Sequence, residues 1–100
     1  MLVRIGKSKD VAPGRMRVFD VAGTAVNVAN AAGHLYAFDD TCTHQGCSLA
    51  RGQLEGRTVT CSCHGSQFDV RSGAVLSGPA DEPVRSRIVQ VDGQDLLVEA

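Results

Sequence analysis

The sequence predicts an all-β chain, and three observations carry that prediction. Short runs rich in valine and aromatics recur along the whole length, bounded by breaks that contain glycine or proline. No window holds a sustained apolar period of 3.6 residues. The clearest pairing is "RIVQV" (87–91) with "DLLVE" (95–99), a hairpin whose connection "DGQ" (92–94) is built on Asp92-Gly93.

Taken in order, "LVRI" (2–5) is a first strand, and "VAPG" (11–14) is a turn because proline fixes φ while glycine tolerates positive values. "RMRVFDV" (15–21) and "AVNVAN" (25–30) are strands around the turn "AG" (22–23). "NAAGH" (30–34) then turns the chain into "LYAFD" (35–39). A single helical turn fits near "CSLARG" (47–52). "RTVTC" (57–61), "SQFDV" (66–70) and "AVL" (74–76) are short strands, the last two joined through "RSG" (71–73). The expected architecture is a small sandwich or incomplete barrel of about eight to ten strands, in one domain spanning residues 1–100.

The charge balance excludes some functions. Charged residues are 21% of the chain and the formal net charge is −1, so neither nucleic acid nor an anionic membrane surface is an expected partner. Arg51, Arg57, Arg71, Arg85 and Arg87 read as a solvated surface before they read as a docking patch. Residues 1–20 hold no apolar run of signal-peptide length, and no segment approaches the roughly 20 apolar residues of a membrane span. The expectation is a soluble cytoplasmic protein, in which clustered cysteines mean metal or redox chemistry. Tryptophan is absent and aromatics are 4%, so the core is thin and a cofactor tying two loops together would add stability.

All four cysteines and two of the three histidines fall in "CTHQGC" (42–47) and "CSCHGS" (61–66). The arms read C-x-H and C-x-x-H, with sixteen residues between His44 and Cys61. Each loop therefore offers thiolate and imidazole together, whereas zinc sites more often place a cysteine pair in one arm and a histidine pair in the other. The mixture suits a dinuclear cluster to which each loop gives one Cys and one His. Zinc held by the same four residues as a structural staple is the competing reading. His34 lies in a polar turn and reads as exposed; Gly46 and Gly65 read as turn residues that also let backbone N–H groups approach sulfur.

The two bursts resemble the cluster-binding loops of Rieske iron–sulfur proteins, in which two His replace two Cys on one iron of a [2Fe-2S] centre. "LARGQLEGRTVTC" (49–61), "FDVRSGAV" (68–75), "GPADEPV" (78–84) and "VQVDGQDLLV" (89–98) resemble the body of soluble Rieske-type ferredoxins; residues 1–40 match only loosely. The resemblance implies a cluster-binding subdomain at about residues 41–80. Cys42 and Cys61 would hold the inner iron, and His44 and His64 the outer iron near the surface. Cys47 and Cys63 match the extra cysteines that form a loop-to-loop disulfide in cytochrome bc-type Rieske proteins, and such a bridge is expected to lie buried under the "Pro loop". That loop, Gly78-Pro79-Ala80, would cover the cluster. Ser66, Phe68, Gly65 and Gln45 fall at positions that tune the potential: Ser66 can donate to sulfide, while Phe68 replaces a tyrosine donor and so implies a lower potential.

A cluster ligated by two Cys and two His has no open coordination position, and the chain shows no Gly-rich dinucleotide motif. The expected function is therefore one-electron transfer without catalysis. The donor would be a reductase and the acceptor an oxygenase of the ring-hydroxylating dioxygenase type, docking transiently near His44 and His64 on a free monomer. The alternatives are a small Rieske subunit of a larger enzyme, such as an assimilatory nitrite reductase, and a zinc-stapled interaction module.

Overall fold

The structure is a computed structural model that describes residues 1–44 and 46–100. In chain order the strands are β1 (Leu2–Lys7), β2 (Met16–Val21), β3 (Thr24–Ala31), β4 (His34–Asp39), β5 (Gln53–Glu55) and β6 (Thr58–Thr60). They continue with β7 (Gln67–Asp69), β8 (Val75–Ser77), β9 (Ser86–Arg87), β10 (Val89–Asp92) and β11 (Asp95–Glu99). Short 3-10 turns occupy Ser8–Asp10 and Leu49–Arg51. All pairings are antiparallel and make three sheets, in the orders β1-β11-β10, β2-β3-β4-β9 and β5-β6-β7-β8. The all-β expectation holds, and the described residues form no closed barrel.

The turns explain why the central sheet forms locally. β2–β3 and β3–β4 are joined by Ala22-Gly23 and Ala32-Gly33, all four at positive φ (52°, 87°, 55° and 94°). Two-residue connections of this kind twist with the strands they join. They set the registers Val21↔Thr24 and Ala31↔His34, which carry the pairing along each hairpin.

β3 is buried from Val26 to Ala31, and strand pleating sends its side chains into two separate cores. Val26 and Val28 join Val11, Val21, Ala37, Leu96 and Val98 on the side of the β1-β11-β10 sheet. Ala29 and Ala31 join Phe38, Leu49, Val59, Phe68, Val70, Cys42 and Cys61 on the side of the β5–β8 sheet. The second core therefore reaches the two Cys/His loops.

Three local readings change. β5 was not expected, since "QLE" has little strand propensity; its pairing Gln53↔Thr60, Leu54↔Val59 and Glu55↔Thr58 supplies what propensity does not. The run "RIVQV" is not one strand. Ser86–Arg87 pairs with β4, Val89–Asp92 pairs with β11, and Ile88 stands 62% exposed where the chain changes sheets. Arg87 is not a surface residue. It is buried, its Nε donates to Asp39 Oδ1 at 2.6 Å, and its Nη1 donates to the Glu99 carbonyl at 3.0 Å, tying β4 to β11. No helix among the described residues is long and apolar enough to cross a membrane.

Candidate metal centre

The two Cys/His segments are built on one plan. In the first, Cys42 N–H donates to the Cys47 carbonyl at 2.8 Å, and Gly46 N–H donates back to the Cys42 carbonyl at 2.9 Å. In the second, Cys61 N–H donates to the Ser66 carbonyl at 2.8 Å, and Gly65 N–H donates back to the Cys61 carbonyl at 3.1 Å. Each loop is thus a closed ring with a cysteine at its first position and a glycine four residues on. Gly46 and Gly65 have φ of 76° and 79°, which a side chain would strain. A Cβ on Gly65 would meet nothing within 4 Å, so backbone conformation rather than close approach requires glycine there.

The plan sorts the candidate ligands by depth. Cys42 and Cys61 are buried, each 3% exposed, and neither is in a disulfide. His44 and His64 are exposed, with ring centroids 5.4 Å apart and planes nearly perpendicular. His34 lies elsewhere, exposed at the start of β4. Each ring carries one buried thiol and one exposed imidazole, and the two imidazoles meet edge to face, a donor set whose chemistry fits a pair of irons with unlike ligands.

Cys47 and Cys63 form a disulfide with Cα atoms 6.5 Å apart, joining the end of the first ring to the middle of the second. Cys63 is exposed and Cys47 only partly buried, so the bridge is not sheltered as expected. The sulfurs of Cys47, Cys61 and Cys63 all lie within 4.8 Å of one another. That trio is not a separate metal site, because two of its sulfurs are bonded together.

The segment 78–84 is tied to both rings. Ala80 N–H donates to Ser66 Oγ at 3.0 Å, and Thr43 Oγ1 donates to the Glu82 carbonyl at 2.6 Å. Gly78 and Pro79 are exposed, and Ala80 is buried. Ser66, 1% exposed, accepts this bond and keeps its own hydroxyl proton to give elsewhere. Phe68 is wholly buried in the core that contains Cys42 and Cys61. Gln45 lies outside the described residues.

Sequence reasoning missed Asp40, which is buried at the base of the first ring and accepts bonds from Ser48, Ala50 and Asn27. The second Asp of "DDTCTH" carries no periodic signal, and its partners at 27 and 48 are brought to it only by the fold.

Comparison with known proteins bears on this arrangement. The family model of the Rieske [2Fe-2S] domain matches residues 1–92. The ferredoxin component of biphenyl 2,3-dioxygenase from Rhodococcus jostii (strain RHA1) is 38% identical over 98 residues, spanning 98% of this chain and 92% of that protein. The solved ferredoxin of carbazole 1,9a-dioxygenase from Nocardioides aromaticivorans IC177 superposes with a TM-score of 0.93 at 34% identity, covering 98% of this chain and 96% of that one. A chain in a complex of reduced oxygenase and oxidized ferredoxin in carbazole 1,9a-dioxygenase gives 0.91 at 31% identity, covering 97% and 91%.

Proposed function

We propose that this chain, which belongs to the Rieske [2Fe-2S] domain family, holds its cluster through Cys42, His44, Cys61 and His64 and passes single electrons between protein partners. Its cofactor is a Rieske [2Fe-2S] cluster and its work is electron transfer. The observation that carries the ligand assignment is the sorting by depth: in each ring the cysteine is buried and the histidine is exposed. Cys42 and Cys61 would hold one iron, and His44 and His64 the other.

When bound, the cluster supplies a centre that takes up and returns one electron. The chain's residues do the rest. Buried thiolates and the apolar side chains of Leu49, Val59 and Phe68 keep water from the inner side. The exposed imidazoles give the centre one edge at the surface. Four protein ligands leave no position for a substrate, so the chain catalyses nothing by itself.

The donor is a reductase and the acceptor an oxygenase of the ring-hydroxylating type, each docking transiently near His44 and His64. Similarity to the ferredoxins of biphenyl and carbazole dioxygenases supports this over a nitrite reductase subunit. The chain is read as one Rieske domain over 1–100, with the cluster-binding subdomain at about 41–80, working as a free cytoplasmic monomer.

Purified aerobically, the protein should be red-brown, contain two irons and two acid-labile sulfides per chain, and give up one electron to a terminal oxygenase after dithionite reduction. One zinc and no sulfide would overturn the reading.

A further inference from the structure

The first ring is held at its base by a buried carboxylate. Asp40 is 3% exposed and lies two residues ahead of Cys42. Its Oδ1 accepts from Ala50 N–H at 2.9 Å and from Asn27 Nδ2 at 3.0 Å, and its Oδ2 accepts from Ser48 Oγ. Its main chain works in the same sense: Leu49 N–H donates to its carbonyl at 2.8 Å, and its own N–H donates to the Ala25 carbonyl at 3.0 Å. With Thr41 bridged to Ser48, residues 40 and 48–50 form a clasp that closes the ring.

Two features mark the surroundings of the clasp. Asn27 is wholly buried, and its Oδ1 has no hydrogen-bond partner. A buried orphan acceptor is costly. Turning the amide over would put that oxygen against Asp40, so the amide is held with its donor toward the carboxylate. No cation pairs with Asp40 among the described residues, where the ion pairs are Arg4–Asp95 and Arg87–Asp39. The carboxylate is therefore dispersed over three hydrogen bonds and neutralised by none.

We infer that Asp40 is a positioning residue that also lowers the reduction potential of the centre, an inference that rests on the ligand assignment above. A cluster held by Cys42 would gain one negative charge on reduction. A fixed anion on the same buried side opposes that charge, and the low local dielectric strengthens the opposition. The three hydrogen bonds keep the anion in place and keep the ring closed.

Asp40→Asn tests the charge with the geometry preserved. The new Oδ1 can accept from Ala50 and Asn27, and the new Nδ2 can donate to Ser48 Oγ, whose hydroxyl rotates to suit. Voltammetry of the holoprotein should show about a tenfold shift toward the reduced form, ~59 mV upward for one electron. Iron content and the EPR spectrum of the reduced protein should match wild type. Ser48→Ala leaves the charge and removes one donor that disperses it, so its potential should fall, by about threefold in the same equilibrium.

Opposite signs are the signature, because a merely structural clasp, once loosened, would shift both variants in the same direction. An unmoved potential in Asp40→Asn with a normal spectrum overturns the inference, as does a common direction in both variants. Should Asp40→Asn fail to retain iron, Ser48→Ala decides: a fall supports the inference, and a rise or no change overturns it. A wild-type protein with zinc and no EPR signal would defeat the ligand assignment instead, and the two failures are thereby distinct.

Discussion

The two faces of β3 look onto two cores of different character. On one face seven buried residues, Val11, Val21, Val26, Val28, Ala37, Leu96 and Val98, make a purely aliphatic core between two sheets whose hairpin strands run four to eight residues. On the other, the sheet is four strands of three residues each, and its core includes two thiols and the ends of two loops. Strands this short are marginal by themselves. One end of the molecule is thus specified by burial. The other adds to its burial two rings of backbone hydrogen bonds and a disulfide, and on the assignment proposed above it would add ligation to iron.

The largest effect expected from this contrast comes from removing one of the proposed ligands. Cys42→Ser or Cys61→Ser should lose essentially all cluster iron. Hydrogen exchange should then speed up across residues 41–80, while amides of β3 and β11 keep their protection. Uniform loss of protection would mean that the two ends fold as one unit and that the contrast is superficial.

Leu96→Ala attacks the aliphatic end. Leu96 is wholly buried, and its truncation should cost about 2–5 kcal/mol in denaturant unfolding. The potential should not move, because Leu96 belongs to the core on the far side of β3 from the rings. A shifted potential in a folded variant would reveal coupling across β3.

The disulfide comes next. Cys47 and Cys63 are sixteen residues apart in sequence, and joining them restricts the unfolded chain by about 3 kcal/mol in the chain-entropy picture. The double variant Cys47→Ala/Cys63→Ala should lose about that much stability and bind iron less tightly. Alkylating the unreduced holoprotein should leave both cysteines unmodified and linked by mass spectrometry. Uptake of the reagent at both, with the cluster intact, would show that the rings close without the bridge.

These regions also differ in how far they could be read in advance. The hairpins β2–β3–β4 and β10–β11 were legible because valine runs and glycine turns are local signals. The family was legible in the two Cys/His loops because six soft side chains within two hexapeptides have few other uses. What escaped depends on distant partners. β5 exists because β6 lies beside it, and "RIVQV" splits because β4 captures Ser86–Arg87 before β11 takes Val89. Arg87 looked like one arginine among several until Asp39 and Glu99 came together around it. Asp40 looked like any acid in a loop until Asn27, Ser48 and Ala50 converged on it.

The smallest expected effect is the most diagnostic of the tip core. Phe68 has no exposed surface, pairs with Val59 and Val75, and packs in the core that contains Cys42 and Cys61. Phe68→Tyr adds one hydroxyl to this apolar space. Should the hydroxyl reach a cluster-bound sulfur, the new bond favours the reduced state by about 0.5–1 kcal/mol, tens of millivolts upward for one electron. Should it reach nothing, a buried donor is left unsatisfied at a cost of about 1–3 kcal/mol in stability. Potential and unfolding free energy therefore move as alternatives: a raised potential with stability retained places residue 68 beside sulfur. A lost kilocalorie with the potential unchanged would make Phe68 only a packing residue, and the aliphatic and cluster-side cores would then differ less than their cysteines suggest.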